Sequence, residues 1–470
     1  MTRSRPTHPR RWMLVLGMLA VLFVSGCAAR QPAADPGVIL TGGALSSPVL
    51  LAGKESVVYA RVRIDTRALP PRERGALNLA IALDTSGSMQ GDAIEAAKHA
   101  TLEMVDALVD GDRLAIVVFH TKAEVLVPSS KVTPRLRARV HELVGELQAL
   151  GTTEMQDGLV AAISEVRTNA SPDSINRVVL LGDGVPNHGE SLEAYAVNAG
   201  EAGIPITTLG LGLDYDEILM GRIAQVSGGR YRYIEDPGKV AAFFEEEVNR
   251  IDNVYARRMR LTMTPGPGVV IDAVLNDTTS DRSARVVPLG DVVRGERREV
   301  VVALRVTPRK ADAALELLDV NIEFEDAVAN AGALQRRVYF GGRASASEED
   351  VARAHDKDVE LSAALARASS TTVRALEFAR VGQNILARDM LQAGAAEAEN
   401  SDKSTPSEDL KKRADEMRAV ANSLPADDRV APQPNPSSSG YQFEDEVQAI
   451  PEQSNRDRKA LHESSLDRLR

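Results

Sequence analysis

At 470 residues the chain is longer than one ordinary domain and implies two or three. Its formal charge is −11; the first 26 residues hold four arginines and no acid, so without them 52 basic face 67 acidic residues, a charge of −15. So acidic a chain is a poor nucleic-acid binder, and no helix-turn-helix, aromatic stacking motif or basic patch argues otherwise.

Arg3, Arg5, Arg10 and Arg11 precede the apolar stretch Trp12 to Val24, followed by Ser25-Gly26-Cys27. The apolar run is shorter than the roughly 20 residues that span a bilayer, and small residues follow it, so residues 1–26 read as a secretory signal peptide. Val24-Ser25-Gly26-Cys27 resembles a bacterial lipobox, in which the cysteine becomes the lipidated first residue. Cys27 is the only cysteine in the chain, so no internal disulfide forms and its placement fits acylation. The implied location is a membrane-anchored exported lipoprotein. Ala28 and Ala29 lack the Asp that retains many lipoproteins in the inner membrane, which favours the outer membrane facing the periplasm, with the cell surface as the alternative.

Residues 27–44 read as a linker, and 45–74 as the first part of a β-sandwich, because Val58, Ala60, Val62 and Ile64 alternate with Tyr59, Arg61, Arg63 and Asp65. Between residues 75 and 252 apolar runs alternate with helical patterns. Strands are expected at Leu77–Leu83, Leu114–Phe119, Val125–Val127, Val178–Leu181, Ile204–Leu211 and Arg230–Ile234. Helices are expected at Asp92–Val109, Pro134–Leu150, Met155–Thr168, Ser191–Ala202, Glu217–Val226 and Lys239–Arg250. This βα alternation predicts an α/β, doubly wound, mainly parallel six-stranded sheet with helices on both faces, whose ligands bind at the carboxyl ends of strands.

From 253 to 342 strand-like runs return at Arg258–Met263, Val269–Leu275, Ala284–Pro288, Glu299–Val306, Ala314–Glu325 and Gln335–Phe340. Pro265-Gly266-Pro267-Gly268 and Leu289-Gly290-Asp291 read as breakers. These strands are expected to complete the sandwich, with the α/β domain inserted in it. Residues 345–424 read as helical, with amphipathic spacing over Thr371–Ala398 through Leu376, Ala379, Val381, Ile385, Leu386, Met390 and Leu391. A helical hairpin packed on the sandwich is the expectation; half a tetratricopeptide-like unit is the sharper alternative, although a repeat array needs about three units. Residues 425–470 read as a disordered tail, with Tyr441, Phe443, Val447 and Ile450 among acids before the basic end Arg456-Asp457-Arg458-Lys459.

Three loops at the carboxyl edge of the predicted sheet carry matching oxygen chemistry. Asp84-Thr85-Ser86-Gly87-Ser88 follows the Leu77–Leu83 run, Gly151-Thr152-Thr153-Glu154 precedes a helix, and Gly182-Asp183-Gly184 ends another buried strand. Few carboxylates, several hydroxyls and an open position suit a hard cation such as Mg²⁺. Ser and Asp before a helix also serve as ordinary N-caps.

With all three loops present, residues 75 to 250 resemble the von Willebrand factor type A family, whose metal-ion-dependent adhesion site is written DxSxS, then Thr, then Asp. The resemblance implies a metal set of Asp84, Ser86, Ser88, Thr153 and Asp183. Ser86 and Ser88 bind directly, the others directly or through water, and Asp183 is the position most often one water away. Glu154 stands where Asn or Asp usually follows the Thr, and Gly182 where Thr is frequent before the Asp. The implied cofactor is Mg²⁺, with Mn²⁺ or Ca²⁺ as substitutes, and the implied partner is a protein offering an Asp or Glu carboxylate.

The expected function is therefore a divalent-cation-dependent protein-binding or assembly module on the bacterial cell envelope, not an enzyme. One alternative is an envelope scaffold whose metal only stiffens the loops. A metal-dependent hydrolase would rest on His188 and Glu190, close after Asp183. Such a site normally needs a positioned base or second metal, and no GxSxG, HExxH or GxxxxGK[ST] motif is present. Asp214 and Asp216 read as turn formers and helix caps.

Overall fold

The computed structural model describes residues 35–67, 76–171, 174–182, 191–211, 215–234, 242–243, 246, 250, 253–276, 285–428 and 452–469. Cys27, Asp183, His188, Glu190, Asp214 and most of the expected helix Lys239–Arg250 lie outside these. Among the described residues no helix is long and apolar enough to cross a membrane.

Fifteen strands are described. In chain order they are β1 Ile39–Leu45, β2 Val49–Leu51, β3 Ser56–Thr66, β4 Leu77–Asp84, β5 Arg113–Phe119, β6 Ala123–Lys131, β7 Ile175–Gly182, β8 Ile206–Leu211, β9 Tyr231–Ile234, β10 Val254–Pro265, β11 Val269–Val274, β12 Val286–Val293, β13 Arg297–Val306, β14 Ala314–Asp326 and β15 Ala333–Ser345. The helices are α1 Asp92–Ala107, α2 Pro134–Gly145, α3 Met155–Thr168, α4 Leu192–Glu201, α5 Glu217–Ser227, α6 Glu348–Arg353, α7 Lys357–Arg380, α8 Asn384–Ser404, α9 Glu408–Ser423 and α10 Glu452–Leu469.

Strands β4 to β9 form one six-stranded sheet in the order β6-β5-β4-β7-β8-β9, parallel except for the antiparallel edge strand β6. Central strand β4 is buried throughout, and its side chains divide by parity. Leu77, Leu79, Ile81 and Leu83 pack with α1 and α2 on one face, while Ala80 and Ala82 leave room for Met155, Leu159 and Ala162 of α3 on the other. Each fully buried Leu or Ile contributes about 1.5–3 kcal/mol, so this strand anchors both layers. The sheet's loops are therefore held on a rigid edge.

Two further sheets enclose the sandwich core. One runs β1-β3-β13-β11 and the other β12-β10-β14-β15-β2, with the α/β module entering after β3 and leaving before β10. Val58, Ala60, Val62 and Ile64 of β3 face Leu261, Met263, Val320 and Ile322 within one apolar cluster.

The segment 27–44, read from sequence as linker, contains most of β1. Strand β1 is hard to see because of Gly42 and Gly43, yet a Cβ at residue 43 would lie 2.5 Å from Val338 and 2.7 Å from Phe340, so close sheet packing requires that glycine. The expected break at Leu289-Gly290-Asp291 is instead an irregularity inside β12: the register against β10 shifts around Gly290, whose φ is +67°.

The run Thr371–Ala398 is two helices, because Gly382 at φ +81° separates α7 from α8. Val381, Ile385 and Leu386, expected on the buried face, lie exposed at that turn. Helix α7 packs Ala363 and Ala366 against Val301 and Ala303 of the sandwich, while the helical layer also takes in Ile218 of α5 and Leu461 of α10. It is more than a hairpin on the sandwich. The expected disordered tail contains α10, with Lys459, Leu461, His462, Ser465 and Leu469 buried.

Candidate metal centre

Asp84 ends β4 fully buried. Its Oδ1 accepts the Ser86 backbone N–H at 2.8 Å, a local turn that folds residues 84–88 back on themselves. The hydroxyl oxygens of Ser86 and Ser88 come within 3.0 Å of each other, Ser86 buried and Ser88 exposed. Ser86 precedes the short helical turn Gly87–Met89 without capping it, and α1 starts after Gly91, also without a side-chain cap. The N-cap reading of these residues is thus not the one the structure adopts.

The second loop is tied to the first through the backbone. Leu150 N–H donates to Thr85 O at 2.8 Å, and Gly87 N–H donates to Gly151 O at 3.1 Å. Gly151 holds φ +80°, Glu154 N–H donates to His120 O at 2.7 Å, and Thr152 N–H donates to Thr121 Oγ1 at 3.2 Å. Thr153 is held by these neighbours with its side chain mostly buried at the same sheet edge. The third loop begins at Gly182, the last residue of β7, with Asp183 beyond the described residues. A Cβ at residue 182 would stand 2.9 Å from both Cβ and Oδ2 of Asp84. This accounts for glycine at the position where the resemblance leads one to look for threonine: the neighbouring carboxylate needs the space.

The structure brings together a carboxylate and two adjacent hydroxyls, with Thr153 on the loop tied to theirs, and donors of that hard-oxygen chemistry would fit Mg²⁺. Among the described residues no group of three or more His, Cys, Asp or Glu side chains forms a metal cluster. Asp216 caps α5, accepting the Leu219 N–H at 3.0 Å, and pairs with Arg380 at 2.6 Å. Burial raises its pKa against the opposing pull of Arg380. It serves the fold as a cap.

Sequence reasoning passed over a second polar cluster, around Glu217. Arg458 lies 2.9 Å and Lys459 3.1 Å from its carboxylate, and the Tyr215 and Tyr231 hydroxyls are 2.7 Å apart beside it. Burial opposes ionisation of Glu217, but the charges of Arg458 and Lys459 overcome that and hold it at about 2. The only sequence signal was the adjacent pair Arg458-Lys459, which in a polar segment reads as solvated. A separate cleft of about 1140 Å³, between α4–α5 and the sandwich, includes none of the candidate metal residues.

The family model for the von Willebrand factor type A domain matches residues 77–233, the span of the six-stranded sheet and its three loops. Residues 77–233 have the von Willebrand factor type A fold. A solved structure described as von Willebrand factor type A from Catenulispora acidiphila superposes with a TM-score of 0.68 at 20% identity, covering 92% of this chain and 98% of that one. The ArnB paralog VWA2 from Sulfolobus acidocaldarius does so with a TM-score of 0.57 at 16% identity, covering 91% and 98%. Both likenesses extend beyond the type A domain, so the sandwich and helical layer belong to the shared fold. An uncharacterized protein of Synechocystis sp. is 29% identical over 209 residues, which is 44% of this chain and 49% of that one. The chain thus spans about half the length of that relative.

Proposed function

We propose that the chain is a divalent-cation-dependent protein-binding or assembly module, held at the bacterial cell envelope by acylated Cys27. Asp84, Ser86, Ser88, Thr153 and Asp183 would hold Mg²⁺, with Mn²⁺ or Ca²⁺ as substitutes. Bound there, the ion supplies a positive site with an open position for an Asp or Glu carboxylate of a protein partner. The observation that carries this reading is the convergence of the Ser86 and Ser88 hydroxyls at 3.0 Å, neither used as a helix cap, beside the buried carboxylate of Asp84.

The chain's own residues orient the site. Asp84 Oδ1 holds the Ser86 backbone, Gly87 and Leu150 lock the first two loops together, and Gly182 leaves room for the carboxylate. Because backbone hydrogen bonds already tie these loops, stiffening them is a poor reason to recruit a metal, and recognition is favoured over the scaffold role. The reading is non-catalytic.

The test is capture from envelope extract by Cys27→Ser protein lacking residues 1–26, comparing wild type in Mg²⁺, wild type in EDTA, and Asp84→Ala. A partner retained only by the metal-loaded wild type supports the proposal. The same partner retained by all three samples moves recognition to the sandwich or helical layer and overturns it.

A further inference from the structure

Helix α10 docks on the α5–β9 face of the type A domain through polar groups. Lys459 is fully buried; its Nζ donates to Tyr215 O at 3.2 Å, pairs with Glu217 and stands 3.7 Å above the Tyr215 ring centroid. Glu463 accepts the backbone N–H of Tyr233 at 3.0 Å on the outer edge strand β9 and pairs with Arg232 at 2.6 Å, so the helix covers a sheet edge. From α9, Arg413 donates to the hydroxyls of Ser464 and Ser465 at 3.1 and 3.0 Å. At the centre of this contact is His462, buried edge-on against Tyr231 at 5.6 Å. It is seated over Gly221, where a Cβ would come within 2.5 Å of Nε2. Neither imidazole nitrogen meets hydrogen-bond geometry with a partner among the described residues, and the Glu217 backbone is the polar group that favours its charged form, an expensive arrangement for a buried polar ring.

We propose that α10 is a proton-released clasp on the type A domain: protonation of His462 undocks the helix and uncovers the α5 face and the Tyr233 edge of the sheet. The proposal stands independently of the metal reading.

The charges around His462 set the sign. Among the described residues Glu217 on α5 is the carboxylate that favours its charge, and it is already engaged by Arg458 and Lys459; Arg232 on β9 is engaged by Glu463 and Asp467, and Arg380 on α7 by Asp216. Tyr215 and Tyr231 stay neutral, burial raising both well above 10. Burial chiefly, with Lys459 and Arg458, depresses His462 to about 4 against the pull of Glu217. The docked state therefore binds fewer protons than the open one, and the docked-to-open ratio falls roughly tenfold per pH unit between about 6.5 and 4. Glu217, held at about 2, adds to the acid loss only below about 4.5. Burial raises Glu463, which pulls the other way as it protonates. Burial lowers Lys459 from 10.5 against the pull of Glu217.

The test places a single thiol at Ser465, buried in the docked helix, in the full chain carrying Cys27→Ser and Ser465→Cys. Its reaction with an acid-active disulfide reagent is divided by that of the free 452–470 peptide carrying the same cysteine, which cancels the thiol's own pH dependence. Protection falling about 30-fold from pH 7.5 to 5, and staying level in His462→Gln, supports the clasp. Level protection in the parent, or an equal fall in His462→Gln, overturns it. Should Ser465→Cys or His462→Gln undock the helix at pH 7.5, exchange protection of the Tyr233 amide in otherwise unaltered chain and in His462→Phe decides by the same two outcomes.

Discussion

Arg177 of β7 reaches out of the type A domain to Asp291 of β12, Nη2 to Oδ2 at 3.0 Å, both side chains nearly buried. Asp291 also accepts the Arg258 backbone N–H at 3.3 Å, and its carbonyl accepts from the buried Arg298, so one residue gathers three arginines at the junction of two modules. Asp291→Ala leaves Arg177 buried without this partner, and a loss of about 3–5 kcal/mol is expected by urea denaturation. Arg177→Leu combined with Asp291→Leu should cost less than the sum of the single changes, which a double-mutant cycle measures.

A ligand that binds only the folded state stabilises it by about 2.7 kcal/mol at a hundredfold excess over Kd. Mg²⁺ at that excess should raise the melting temperature of the Cys27→Ser chain, and EDTA should reverse the rise. Asp84→Ala should melt at the same temperature with and without Mg²⁺. Scanning calorimetry reads all five samples.

Ser88 is exposed and Gly182 is packed against Asp84, so the two should separate binding from folding. Ser88→Ala is expected to change stability by less than about 0.5 kcal/mol while weakening Mg²⁺ binding in a calorimetric titration. Gly182→Ala forces a Cβ to within 2.9 Å of the Asp84 carboxylate and should cost about 1–3 kcal/mol as well as weakening the metal.

Gly228 ends α5 at φ +74°, and Gly290 sits across from it at φ +67°, where an added Cβ would meet Gly228 O at 2.6 Å. Gly290→Ala combines an unfavourable backbone conformation with a backbone clash. A loss of at least about 1–3 kcal/mol is expected by thermal melting, and Ala at the nearby exposed Gly295, also left-handed but open, should lose only the conformational part.

Glu217 should make the fold acid-sensitive. Its folded pKa, about 2, lies below the 4.5 of an unperturbed glutamate, so its contribution is complete above about 4.5 and is lost as pH falls towards 2. Glu217→Gln is expected to lower stability at pH 7 and flatten that acid limb, measured by urea midpoints at successive pH values.

Much of the type A domain was written locally. The run Leu77–Leu83 is uniformly apolar because the strand is buried on both faces, and Met155–Thr168 carries its helical period within one segment, so nearest-neighbour pattern was enough for both. The Asp84, Ser86 and Ser88 spacing was equally legible, since one turn places those groups together. Strand β1 escaped notice because its Gly43 answers to Phe340 and Val338, some 300 positions away. The turn at Gly382 escaped because helical periodicity continues across it, and only the packing of α7 on α8 shows that Val381, Ile385 and Leu386 face outward.

The sequence by itself determined most elements of the α/β domain, its polarity and the Asp84–Ser88 turn at its carboxyl edge, because burial on both faces and tight-turn chemistry leave signatures within a few residues. Tertiary structure alone decided that Gly182 makes room for Asp84, that Asp291 joins sandwich to sheet, and that the polar helix Glu452–Leu469 folds back with Lys459 on Glu217. Those outcomes depend on charges and missing Cβ atoms meeting across tens to hundreds of residues, where the cost of burying a polar group is offset only by a partner that no local pattern reveals.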